Sequence, residues 1–72
     1  MIKHIYLNGV IVNQKTISKY EVFIPFLDEN IICKKSPKLK YSNLIISGDS
    51  VNIEFSIYDD ELENGLIIEV IK

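Results

Sequence analysis

Arginine is missing from this chain, cysteine and histidine occur once each, and no apolar run is long. Each absence excludes something. A single cysteine, Cys33, excludes an internal disulfide. One cysteine and one histidine cannot build a structural zinc site, which needs four ligands. No segment approaches the roughly 20 apolar residues of a membrane-spanning helix, so no membrane partner is expected. The N-terminal "MIKHIYLNG" has no long apolar stretch ending in a small-residue cleavage site, so no secretory signal is expected either. A lone thiol is ordinary in a reducing cytoplasm, which is the expected place of synthesis. Eight lysines against ten acidic residues leave a formal net charge of −2. A nucleic-acid binder usually carries a basic surplus, with arginine favoured for phosphate forks and base edges. The expectation is therefore weak nucleic-acid binding or none. An AT-rich coding sequence, which also favours Ile, Asn and Lys, gives a plain account of the missing arginine.

What remains is a short, apolar chain. Seventy-two residues with 47% hydrophobic content can fold, and they make one domain, residues 1–72. A domain of this size buries only about 60% of its unfolded surface. The usual staples are disulfides, a metal or association with other subunits. With the first two excluded, oligomerisation or docking into a larger assembly is left.

The pattern along the chain is β throughout. "IKHIYLNGVIV" (residues 2–12) suits a long strand that bends or bulges near Gly9. "NQKTIS" is a polar turn. In "KYEVFIPF", Tyr20, Val22, Ile24 and Phe26 share one face at period two, and Pro25 marks an edge or bulge because it cannot donate a ladder bond. "IICK" reads as a short third strand after the turn "LDEN". "KSPKLKYSN" breaks the β pattern, and Ser36–Pro37 resembles a helix N-cap with Pro at the first helical position. After Gly48–Asp49 comes the clearest strand: Val51, Ile53, Phe55 and Ile57 alternate with Ser50, Asn52, Glu54, Ser56 and Tyr58, as in a sheet with one wet face. "DDELENG" turns the chain, and "LIIEVI" closes it with Leu66, Ile68 and Val70 on one face. Five strands with a short helical or irregular connector between the third and fourth form the plan of an all-β, five-stranded OB-type barrel. An SH3-like barrel is the nearest rival. The expected core is Val22, Ile24, Val51, Ile53, Phe55, Ile57, Leu66 and Ile68. Ile5, Ile11, Phe23, Ile67 and Ile71 are expected on the barrel exterior.

The sequence offers no catalytic constellation, and no catalytic, cofactor-binding or metal-ligating residue is assigned. His4 has no evident nucleophile to serve and reads as a strand-end residue. Cys33 reads as a small buried apolar residue. Asp59, Asp60, Glu61 and Glu63 form an acidic turn whose spacing does not match an EF-hand loop. Lys34, Lys35, Lys38 and Lys40 place half of the eight lysines within seven residues, followed by Tyr41. They form either a solvated connector or a phosphate-tracking patch, for which Tyr6, Tyr20 and Phe23 could supply further aromatics. The basic connector and the acidic turn are the two candidate interaction patches. Copies of the chain could pair them head to tail.

Two families are similar. "GVIV", "SPKLK", "GDSVNIE", "YD" (Tyr58–Asp59) and Gly65 resemble bacterial translation initiation factor one, a free-standing OB fold. That resemblance implies binding to the small ribosomal subunit. Here Pro37 replaces the family's glycine after the serine, and "NLIIS" and "LIIEVI" replace its further basic positions. "YEVFIPFL", "ICKKSP", "GDSVNIEF" and "NGLIIEVI" resemble the OB domains of phage tail hub and spike proteins, over most of the chain. That resemblance implies a non-enzymatic structural module of a virion, in its tail or connector region, whose partners are protein subunits, itself among them. A small phage-encoded inhibitor of a host nucleic-acid-binding protein is a third reading. The acidic balance favours the virion part.

Overall fold

The computed structural model describes residues 3–39 and 45–71. Five strands follow in order: β1 (Lys3–Gln14), β2 (Lys19–Ile24), β3 (Glu29–Lys35), β4 (Ser50–Tyr58) and β5 (Glu61–Ile71). They close into a barrel in the order β1-β2-β3-β5-β4, and β4 returns to β1. Every neighbouring pair is antiparallel except β3 and β5. This is the five-stranded OB-type plan, and among the described residues no helix is present. Closing the sheet hides the strand edges that a small all-β chain would otherwise expose.

The alternating strands place their apolar side chains inward. Val51, Ile53 and Phe55 of β4 are buried, as are Val22 and Ile24 of β2. Tyr20 joins them, so it is not free to stack on a ligand. Cys33 is fully buried, as a small apolar residue would be. Pro25 ends β2, and the chain turns over Pro25–Asp28. Phe26 therefore leaves the inward face that its spacing predicts and is 81% exposed.

β1 differs from expectation in one respect. It runs on to Gln14, and its irregularity lies between Ile11 and Asn13 rather than at Gly9. Gly9 has another task. A Cβ there would sit 2.5 Å from Val22 Cγ1 and 2.9 Å from Ile24 Cδ1, so the glycine lets β1 cross close over β2. Ile5, Leu7, Gly9 and Ile11 form its inward row. Ile11 is buried and Ile5 packs on the core, which removes both from the exterior.

β5 corrects the expected core most. Leu66, Ile68 and Val70 do not share its inward face. Asn52 pairs with Glu69 but Ile53 with Ile67, so Ile68 is an extra residue on the β5 side. Glu54 pairs with Leu66 but Ser56 with Glu63, a second irregularity. Two shifts break the period-two rule, and Ile67 becomes the fully buried side chain while Leu66 and Ile68 stay half-buried. Ile57 is also only half-buried. Gly65 falls in the second shift, where a Cβ would come within 2.9 Å of both Cys33 Sγ and the Phe55 ring. The bulge and the glycine together make room for Phe55, the largest fully buried side chain.

The connector after β3 starts as one turn. The Ser36 N–H donates to the Ile67 carbonyl (3.0 Å), and Ser36 Oγ accepts from the Lys38 N–H (3.2 Å). The Leu39 N–H donates to the Ser36 carbonyl (3.1 Å). Ser36 thus caps as its sequence context predicts, although Pro37–Leu39 form a turn and no helix. Ile45, buried at the other end of the connector, adds to the core.

Candidate interaction surfaces

The barrel interior is filled by Phe55, Ile24, Ile53, Ile67, Val22, Val51 and Cys33. No buried side-chain nitrogen or oxygen among the described residues lacks a hydrogen-bond partner. Binding chemistry must therefore sit on the outside.

Topology arranges the outside charges along one axis. The β2–β3 hairpin places Lys19 opposite Lys34, and the Lys35 N–H donates to the Ser18 carbonyl (3.0 Å). The β1–β2 turn, with Lys15, and the Ser36–Leu39 turn, with Lys38, meet at this same end. The parallel pairing of Lys34 with Leu66 and Lys35 with Ile67 sets the start of β5 beside the start of β3. The opposite end therefore carries Asp28, Glu29, Asp59, Asp60 and Glu61, with Glu63 just inward. The first end is predominantly basic, with Glu21 among its lysines, and the second predominantly acidic, with Lys3 paired to Ile57 beside the acidic turn. Lys40 and Tyr41 lie outside the described residues.

At the basic end, Lys15 Nζ is 3.2 Å from Glu21 Oε1. Glu21 also accepts from Asn30 Nδ2 at 2.9 Å. The Asn30 hydrogen bond first, and then Lys15, holds this carboxyl below its ordinary pKa. Lys19 and Lys34 are directly opposed like charges, a destabilising arrangement, and neither makes an ion pair among the described residues. Beside them lies a shallow hollow of 620 Å3 bounded by Ile17, Ser18, Lys35, Ser36, Pro37, Lys38 and Leu39. Ile17 is 90% exposed.

At the acidic end, Asp59 and Asp60 form a two-residue hairpin turn with φ of 51° and 62°. Both residues are exposed. Among the described residues no group of three or more His, Cys, Asp or Glu is placed to share a metal ion. Tyr6 and Phe26 flank a second, smaller hollow with Leu7, Asn8 and Pro25. The Tyr6 hydroxyl is held above its ordinary pKa, first by its hydrogen bond to the Glu54 carboxylate and then by that charge.

A groove of 610 Å3 crosses the side of the barrel between β3 and β5, with Ile32 and Lys34 on one wall and Asn64, Gly65 and Leu66 on the other. His4, Glu54 and Ser56 reach its rim. His4 Nδ1 lies 3.5 Å from Ser56 Oγ and 3.9 Å from Glu54 Oε1. Both neighbours address the same ring nitrogen, whereas a serine–histidine–carboxylate relay uses one nitrogen for each. Cys33 Sγ is 3.9 Å from the Ile31 carbonyl, and burial pushes its pKa up to about 11, so it is a neutral thiol at ordinary pH.

Sequence reasoning located the basic and acidic patches but missed Ile17, Phe26 and Lys19. Ile17 sits alone in a polar turn, where an isolated apolar residue carries no periodic signal. Phe26 has the period of the core face and is diverted by Pro25. Lys19 gains meaning only from its cross-strand partner. No protein-family model and no curated protein sequence matches the chain.

Proposed function

We propose that this chain is a non-enzymatic docking module, a small structural part of a phage particle in its tail or connector region. One observation carries the reading. The two most exposed large hydrophobic side chains among the described residues, Ile17 and Phe26 at 90% and 81%, stand at opposite ends of a barrel whose core is already filled. Single exposed apolar residues are common. Here, however, each lies beside a hollow, and the two ends carry opposite charge. Such a body suits insertion between neighbours on both sides. The similarity to the OB domains of phage tail hubs and spikes supports the virion setting, and the acidic balance fits protein partners better than RNA. In this reading the chain is made in the cytoplasm, ends in the virion and uses no cofactor.

The test is multi-angle light scattering on the purified protein, alone and mixed with the proteins encoded beside it. A stoichiometric complex is expected. A strictly monomeric protein that co-purifies with no neighbour and no particle overturns the reading. Tight, salt-dependent binding to small-subunit ribosomal RNA would replace it with the initiation-factor reading.

A further inference from the structure

The two ends differ in shape as well as charge. The acidic end offers a knob: Phe26 projects from the β2–β3 turn, with Asp28 and Glu29 just after it in the chain. The basic end offers a hollow: Ile17, Pro37 and Leu39 supply apolar lining, and Lys35 and Lys38 supply the charge. We infer that the barrel binds a second copy of itself head to tail, with Phe26 of one copy seated in the Ile17–Pro37–Leu39 hollow of the next. Asp28 and Glu29 then face Lys35 and Lys38 across the contact. The inference rests on reading the chain as a docking module and names its partner.

Charge selects this arrangement over its alternatives. Two acidic ends repel one another, and so do two basic ends, so a symmetric end-to-end dimer is disfavoured. A head-to-tail contact is heterologous, and it repeats until it closes a ring or runs on as a filament. A buried aromatic anchor supplies most of the binding energy in such a contact. The end of so small a barrel offers less than the roughly 800 Å² per partner of a stable interface. The affinity is therefore expected to be micromolar or weaker, and the charged rim makes it fall with added salt.

Sedimentation velocity tests this across micromolar to millimolar concentrations, at low and high salt. The wild-type sedimentation coefficient should rise with concentration, and less so at high salt. Phe26→Ser removes the knob and Ile17→Asp spoils the hollow. Each variant alone should stay monomeric, because its one good end meets only a bad one. Mixed, they should form a 1:1 heterodimer and nothing larger, since only one productive contact is possible. Circular dichroism should show both folded, as both positions are exposed; if Ile17→Asp is not, Lys38→Glu takes its place. A wild-type protein that stays monomeric throughout, variants that self-associate like wild type, or folded variants whose mixture stays monomeric would each overturn the inference. A monomer that still binds a neighbouring gene product would overturn it while leaving the docking function intact.

Discussion

Cys33 shows how one side chain ties the core to solution conditions. Its thiol is buried against Gly65, and desolvation raises its pKa from an ordinary value of 9.0 to about 11. A group raised on folding contributes its full stability below the unfolded pKa and loses it as pH climbs to the folded one. Between about pH 9 and 11, unfolding releases the thiol proton and stability falls. The upper limit is about 1.4 kcal/mol per pH unit from this group. Urea unfolding of wild type and Cys33→Val at pH 7, 8.5 and 10 measures it. The wild-type curve should drop faster above pH 9, and the difference isolates Cys33 from the lysines and tyrosines that titrate there too. Parallel curves would show that the thiol is already solvated in the folded barrel. The sequence indicated a buried cysteine because a lone free thiol with no catalytic partner in view is usually a small buried apolar residue. It did not indicate Gly65 as the residue packed on it, because that contact depends on where β5 shifts register.

At the level of elements, the strands with strict alternation were readable and those with bulges were not. β2 and β4 bury the residues that period two selects, up to the proline in one and Ile57 in the other. β5 defeats the rule twice, since an extra residue moves every later side chain to the other face. The sequence pattern predicts a turn over "DDELENG", whereas the chain turns at Asp59–Asp60 alone. Both residues sit at positive φ, as a type I′ hairpin turn requires. Asp tolerates that region less well than Asn or Gly, and here two carboxylates adjoin Glu61. Asp60→Gly should raise stability by about 0.5–1 kcal/mol, the relief of left-handed strain less the added freedom of the unfolded chain. Asp60→Asn separates the charge contribution from the backbone one. The urea midpoint is the readout, and a lower midpoint for Asp60→Gly would mean that the aspartate is held by more than the turn. The candidate interaction patches were readable as charge blocks. Their placement at opposite ends was not, because it follows from the parallel β3–β5 pairing, which joins residues 32 positions apart.

For the whole molecule, the question is where a closed barrel opens first. β1 pairs with β4 from Lys3–Ile57 through Val10–Ser50, and β4 pairs with β5 along nearly all of both strands. Among the described residues β3 meets β5 only at Lys34–Leu66 and Lys35–Ile67, with the Ser36 N–H donating to Ile67 just beyond. The long β1–β4–β5 ladder also carries Ile53, Phe55 and Ile67, three of the largest buried side chains. Breaking it exposes most of the core, so its amides should exchange only on global unfolding. Parting β3 from β5 breaks a short ladder beside a groove that water already enters. Native-state hydrogen exchange should therefore find the Ser36 amide exchanging through a local opening that urea barely affects. The amides of Ile53 and Phe55 should follow the global unfolding curve. The direction matters for function, because this seam runs from the acidic end to the Lys34–Lys38 end and the hollow beside it. A docked neighbour that covers the hollow should slow exchange at Ser36 and leave Ile53 unchanged. Equal protection at Ser36 and Phe55 in the isolated protein would show instead that the barrel opens as a single unit.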